Sequence, residues 1–185
     1  MNTKIETLEW VIWTGFAAFV GLMGWIFGLA VALAMCLSIP FVIMLKNDFI
    51  RRRFTWQSDY SVGITVLDED HKRLFELIFE MYKSMQKAYG KEDAARILTE
   101  LQEYTITHFD REEAVMQKHG YPELESHRRE HEVMKEKVNH FSAALAANSM
   151  EVSKDVVRFL QNWLINHINK TDKAYSAFLT AKGER

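Results

Sequence analysis

Residues 124–145 read LESHRREHEVMKEKVNHFSAAL. Leu124, His127, His131, Met134, Val138, Phe141 and Leu145 recur at alternating steps of three and four. That period places them on one face of a helix, with charged residues filling the remaining positions. An apolar stripe of this kind needs neighbouring helices to bury it. Two histidines stand inside the stripe, where burial of an unpartnered polar group is costly.

The flanking sequence supplies three more helices. Asp68 is positioned to cap one whose stripe is Leu74, Phe75, Ile78, Met81, Tyr82 and Met85, ending before Gly90. A second spans about Glu92 to Lys118, carries Ile97, Leu98, Leu101, Val115 and Met116, and is stopped by Gly120. The quoted stretch lies in a third, about Glu123 to Ala147. A fourth runs from about Val152 to Ala181, with Val156, Leu160, Trp163, His167, Ala174 and Phe178 inward. Four helices of similar length with short joins predict an all-α, up-down-up-down four-helix bundle over residues 54–185. A connector, Phe54 to Leu67, holds Trp56, Tyr60 and Gly63 and has no helical period.

Residues 1–50 meet a different solvent. Of the 185 residues, the 36 from Trp10 to Leu45 carry no formal charge, and Thr14 and Ser38 are their only hydroxyls. One helix of that length would be about 54 Å long against a bilayer core of about 30 Å. Two arrangements fit a transmembrane segment over 1–50. A helical hairpin turns near Gly24–Gly28, with Trp10 and Trp13 at one interface and Trp25 at the other. A single span runs from about Gly21 to Leu45, with an interfacial helix before it and Gly24, Gly28, Ala32 and Cys36 making a flat face for close helix contact. The hairpin explains the tryptophans better. Lys46, Arg51, Arg52 and Arg53 follow the apolar run, which places the bundle on the cytoplasmic side of the inner membrane in either arrangement. The run is too long for a cleaved signal peptide, and Met35 before Cys36 makes a poor lipoprotein signal.

Charge and cysteine content exclude several classes. The chain has 23 Lys and Arg against 25 Asp and Glu, a net charge of −2, so no basic excess points to nucleic acid. The bundle alone carries 18 against 22. Cys36 is the only cysteine, so neither an intramolecular disulfide nor a cysteine zinc site can form.

The inward faces carry a second pattern. His108 and Glu112 are four apart on the second helix, and His127 and His131 four apart on the third. His71 opens the first. His167 and Asp172 are five apart on the fourth, which in a regular helix is about 140° of net rotation, so Asp172 needs a local distortion or a slanted reach to join His167. Burying five histidines and two carboxylates costs several kcal/mol each unless something offsets it, and a metal centre does. Seven ligands exceed what zinc uses. Two octahedral ions offer about twelve positions, of which five imidazoles, two bridging carboxylates and a solvent-derived bridge fill all but one. A mixed nitrogen and oxygen set with one open position suits two redox-active ions such as iron, and the opening suits a diatomic ligand. His119 and His140 fall outside the set and are read as solvated surface residues.

The motifs Trp56…Tyr60-Ser-Val-Gly63-Ile64…Asp68-Glu-Asp-His71, His108-Phe-Asp-Arg-Glu112-Glu, Gly120-Tyr-Pro, His127-x3-His131 and Trp163-Leu-x-x-His167-x4-Asp172-x-x-Tyr175 resemble the hemerythrin family, in its bacterial branch. The likeness covers about residues 54–180. It implies a four-helix bundle that binds O2 at a non-haem di-iron site. It implies that His127, His131 and His167 hold one iron, that His71 and His108 hold the second, and that Glu112 and Asp172 bridge. Leu74 and Leu164 lie one turn from His71 and His167, and with Trp163 they are expected to wall the O2 pocket. The hydrophobic segment departs from soluble members.

The leading expectation is therefore a membrane-anchored, non-enzymatic protein that binds O2 reversibly, for storage or for delivery to membrane-bound oxidases or oxygenases. The segment 1–50 would serve self-association or docking to such a partner as well as insertion in the lipid bilayer. A di-iron enzyme reducing peroxide or nitric oxide is the alternative, as is an O2 or redox sensor acting through a partner chain. Ferritin-like di-iron oxygenases use Glu-x-x-His pairs, and no histidine here has a glutamate three residues before it. The hairpin puts both ends in the cytoplasm. A Thr3→Cys variant should therefore resist a membrane-impermeant thiol reagent in intact cells, and labelling from outside would instead favour the single span.

Overall fold

The computed structural model describes residues 3–86, 90–147 and 153–185. The side chains of residues 3–9 and of several positions in 29–50, Ala32 and Lys46 among them, lie outside the described part, as does the expected helix start at Val152. The chain divides into two units, 1–53 and 54–185. The described residues are helical or irregular, with no strand among them.

The first unit is two helices, α1 (Thr3–Phe27) and α2 (Leu29–Arg53). Gly28 breaks them at φ +86°, a conformation that a side chain would strain. Trp13 and Phe16 share a groove with Cys36, Ile39, Pro40, Ile43 and Met44, so α2 returns along α1. A continuous helix from Gly21 to Leu45 does not form, and Gly24, Gly28 and Cys36 do not share one helical face. Trp10, Trp13 and Trp25 are exposed. Trp10–Phe27, with a mean hydropathy of 1.7, is the one described stretch long and apolar enough to cross a bilayer unaided; Leu33–Leu45 is shorter. Arg51 and Arg52 are paired with Asp48, at 3.0 and 2.9 Å.

The second unit is the bundle. A single 3-10 turn (Ser58–Tyr60) leads into α3 (Thr65–Ser84), followed by α4 (Gly90–His119) and α5 (Leu124–Ala146). The fourth helix is α6 (Lys154–His167), a π turn (Ile168–Asp172) and α7 (Lys173–Ala181). Along the chain α3 packs on α4 and α4 on α5, while α6 closes onto α3. Leu67, Phe75, Leu77, Met81, Leu98, Met116, Leu160 and Leu179 fill the interior. Phe54 stacks between Phe79 and Tyr82, anchoring the start of the unit.

Helix ends follow local chemistry. Gly120, at φ +66°, closes α4: its N–H reaches Gln117 O at 3.1 Å and the Tyr121 N–H reaches Met116 O at 3.0 Å, the paired bonds of a left-handed C-cap. Ser153 caps α6 by accepting from the Val156 N–H at 3.3 Å. Asp68 does not cap α3. The helix starts at Thr65, and the Asp68 carboxylate reaches back from the first turn to the Val62 N–H at 2.8 Å and the Ser61 hydroxyl at 2.5 Å. It thereby ties the connector to the helix.

The π turn changes the inward face of the last helix. One extra residue in a helical turn advances every later position by about 100°. Ala174, expected inside, is exposed and Phe178 is half-buried, while Tyr175 and Leu179 are buried. His119 also departs from expectation: it is largely buried, with Nε2 2.7 Å from Glu184 Oε1, whereas His140 is exposed as expected. The register is testable by stability. Leu179→Ala should cost about 2–5 kcal/mol, and Ala174→Ser should stay within about 0.5 kcal/mol, as read from denaturant midpoints. Equal costs would contradict the shifted face.

Candidate metal centre

Five histidines and two carboxylates converge at mid-bundle, one or two from each helix. α3 brings His71, α4 His108 and Glu112, α5 His127 and His131, and the fourth helix His167 and Asp172. Each is buried. The four-residue steps in α4 and α5 stack their pairs on one face. His167 and Asp172 meet because the π turn lies between them, so Asp172 Oδ1 is 3.1 Å from His167 Nε2.

The donor atoms form two groups that share Glu112. One is Glu112, His127, His131 and His167; the other is His71, His108 and Glu112. Nε2 of His131 is 2.9 Å from that of His127 and 3.1 Å from that of His167. Glu112 Oε2 stands 3.2 Å from Nε2 of both His127 and His131, and 3.9 Å from Nε2 of His108. Asp172 straddles the groups: Oδ1 faces His167 and His127, at 3.1 and 3.7 Å, and Oδ2 faces His71 Nε2 at 3.3 Å. The structure thus brings together all seven residues singled out from the sequence.

These atoms do not satisfy one another. His71 Nε2 and both Asp172 oxygens are buried without a hydrogen-bond partner among the described residues. Nitrogens held 2.9 and 3.1 Å apart can share at most one proton per contact. Two donors about 2.1 Å from one ion and 90° apart are separated by about 3.0 Å, whereas a tetrahedral angle would separate them by about 3.4 Å. The His131 contacts, at 2.9 and 3.1 Å, match the first separation, and Glu112, at 3.2 Å from two of these nitrogens, lies between the two. Electrostatics agree. Burial and the neighbouring Glu112 push the Asp172 carboxyl well above its ordinary range. Glu112 is held well below its own: burial opposes this, but the hydrogen bonds to His127 and His131 prevail. Burial drives the His167 imidazole well below its ordinary value, so it stays neutral and its nitrogen remains a donor. Cations between these groups would satisfy both carboxylates and the neutral imidazoles.

Several residues support the ligands in ways the sequence did not reveal, Trp56, Trp163 and Tyr175 of the quoted motifs among them. Tyr175, fully buried, donates its hydroxyl hydrogen bond to Glu112 Oε1. Phe109 lies flat on His131, with ring centres 3.6 Å apart, and Trp163 on His167 at 4.4 Å. Trp56 stacks on His71 at 6.1 Å. Carboxylates meet the outer nitrogens of three imidazoles: Asp70 at His108 Nδ1, Glu113 at His131 Nδ1 and Glu130 at His167 Nδ1. Each sits beside a ligand candidate in sequence but serves a histidine on the next helix, so sequence spacing alone does not reveal the pairing.

Beside the centre lies a cavity of about 20 Å³ lined by Leu74, Leu101, Phe109, Met134, Trp163 and Leu164, among others. The three side chains expected around a ligand pocket all line it. Its one hydroxyl, on Thr105, donates to Leu101 O at 2.7 Å and so turns to its own helix.

The fold and site define a class: a four-helix bundle carrying a buried cluster of histidines and carboxylates fit to hold metal. Comparison with known proteins gives the family. Residues 62–179 match the model of the hemerythrin HHE cation binding domain, and the chain belongs to the hemerythrin family. It is 35% identical over 124 residues to a bacteriohemerythrin of Stenotrophomonas maltophilia, covering 65% of this chain and 78% of that one. It is 30% identical over 128 residues to that of Methylococcus capsulatus, covering 69% and 97%. A crystal structure of wild-type hemerythrin superimposes with a TM-score of 0.65 at 29% identity, covering 68% of this chain and 97% of that one. The segment before the bundle lies outside the matched region.

Asp70 anchors one side of the centre, accepting from Tyr104 at 2.8 Å and from Arg111. Burial and then the bond to Asp70 push the Tyr104 phenol up to about 12 from 10. A proton held more tightly in the folded state stabilises fully below the unfolded value, and that contribution is lost as pH rises through the folded one. The stability gap between wild type and Tyr104→Phe should therefore shrink between about pH 10 and 12. A gap constant across that window, by denaturant unfolding, would show that the phenol does not bind Asp70.

Proposed function

We propose that this chain binds O2 reversibly at a non-haem di-iron centre in its bundle and is anchored in the cytoplasmic membrane by residues 1–53, with the bundle in the cytoplasm. His127, His131 and His167 would hold one iron and His71 and His108 the other, bridged by Glu112 and Asp172. When bound, two ferrous ions supply the electrons that O2 takes up and returns. The observation that carries this reading is the convergence of seven buried residues, six in two donor groups that share Glu112 and the seventh, Asp172, facing both.

The surrounding residues favour a binder. Leu74, Trp163 and Leu164 wall a cavity that exceeds the roughly 10–15 Å³ a single water needs, and its lining is apolar apart from the Thr105 hydroxyl and the Trp163 indole. Thr105 spends its proton on Leu101. No carboxylic acid or imidazole is among the described residues that line the cavity, which favours a binder. Tyr175 holds Glu112 in place from the far side. Family membership fits a non-enzyme at the family level. The hairpin would keep the site near membrane enzymes that consume O2, with self-association or docking through its apolar faces.

The full-length protein should contain two irons per chain, with a spectrum that changes on admitting air to the anaerobic ferrous form and reverts on evacuation. One zinc and no iron in protein from iron-replete cells would overturn the di-iron reading. Loss of the oxy spectrum without return of O2, faster with peroxide or nitric oxide present, would favour the enzyme. Leu164→Ala opens the cavity wall toward the centre and should admit water. The oxy form should then decay severalfold faster; an unchanged lifetime would place Leu164 outside the pocket.

A further inference from the structure

The outer nitrogens of the histidines are supported unequally. Going round the bundle, each helix lends a carboxylate to the next. Asp70 of α3 stands 3.4 Å from Nδ1 of His108 on α4. Glu113 of α4 stands 2.8 Å from Nδ1 of His131 on α5. Glu130 of α5 stands 3.1 Å from Nδ1 of His167 on α6. The ring does not close: Nδ1 of His71 has no hydrogen-bond partner among the described residues, and neither does Nδ1 of His127.

The two groups of donors therefore differ. In the group of three histidines, two have a close carboxylate behind them. Glu113 is oriented by Arg128, whose Nε donates to its second oxygen at 3.1 Å. Glu130 is oriented by the Thr171 hydroxyl at 3.0 Å, on the π turn itself. In the group of two histidines, His108 has only Asp70 at the longer distance. Asp70 also accepts from Tyr104 and from Arg111. His71 has no carboxylate at Nδ1; Trp56 stacks on its ring and His108 meets it edge-on.

An ionised carboxylate only accepts hydrogen bonds. Placed at Nδ1, it keeps the imidazole proton there and leaves the Nε2 lone pair pointing into the centre. It also makes that nitrogen a stronger donor to a cation, an effect that typically amounts to 10–100-fold in metal affinity. We propose that Glu113 and Glu130 are positioning residues that make the His127–His131–His167 position the tighter of the two, so that it fills first and the His71–His108 position fills second. This rests on the di-iron reading above and adds an order of loading to it.

The test is a Co2+ titration of the metal-free, full-length protein in detergent, by calorimetry with a competing chelator. Wild type should take up two ions in two phases. His71→Ala should remove the weaker phase and keep the tighter one. Glu113→Gln and Glu130→Gln should each weaken the tighter phase by about 10–100-fold and leave the weaker one in place. Glutamine keeps a hydrogen-bond acceptor and removes the charge, and the Glu130 carboxylate is half exposed, so helix content and the metal-free unfolding midpoint of Glu130→Gln should match wild type. Loss of the tighter phase in His71→Ala would reverse the assigned order. Variants at Glu113 and Glu130 that titrate like wild type, or weaken both phases equally, would overturn the inference while two bound ions still supported the di-iron reading. Fewer than two ions in wild type would remove both.

Discussion

Seven polar side chains buried together among leucines and aromatics constrain everything else in the bundle. A buried donor or acceptor without a partner costs on the order of 1–3 kcal/mol, and here several face that cost together. Glu112 and Asp172 cannot both ionise comfortably at such close quarters: burial and Glu112 drive the Asp172 carboxyl up while two imidazoles keep Glu112 down. Such a cluster favours cations over an empty interior. It also sets the axial position of every helix, because a slide of one residue along any of them would withdraw a ligand from the group.

The apolar layers then acquire a second duty. Phe109 and Trp163 lie flat against His131 and His167, so ring faces that fill the core also clamp the imidazoles. The same two rings, with Leu74 and Leu164, border the small cavity. Packing and site are made by the same atoms, which is why the cavity is narrow and dry-walled. Outside this layer the flanking carboxylates tie α3 to α4, α4 to α5 and α5 to α6, so the order of these helices and the orientation of the ligands are one arrangement.

Much of this was legible beforehand, for definite reasons. The stripe from Leu124 to Leu145 could be read because a helix repeats at a known period, and His127 and His131 stood out as polar members of it. His167 and Asp172 announced a distortion because five residues do not close a regular turn, and a π turn is what lies there. What that turn does downstream was not read: it moves Ala174 out and Tyr175 in, since the local period is no longer 3.6. Asp70, Glu113 and Glu130 were not legible, because each faces a histidine on another helix and looks in sequence like any solvated charge. His119 was misread for a similar reason, its partner Glu184 lying 65 residues away. Near the N-terminus, composition alone left the turn open between two arrangements, and the positive φ at Gly28 decides between two helices and one continuous one.

The π turn has a meaning in the language of genes. Substituting a residue between His167 and Asp172 changes a side chain; removing one codon there changes a length. An in-frame deletion anywhere in those four codons would leave every histidine and carboxylate of the centre in the reading frame, and any comparison by residue type would count the set as complete. The turn would revert to a regular one, in which Asp172 follows His167 by four residues, the step that stacks His108 with Glu112 and His127 with His131. Between those codons, then, the gene could shorten by one residue without parting the two ligands from a common face, whereas a deletion elsewhere in these helices would turn every later position by about 100°.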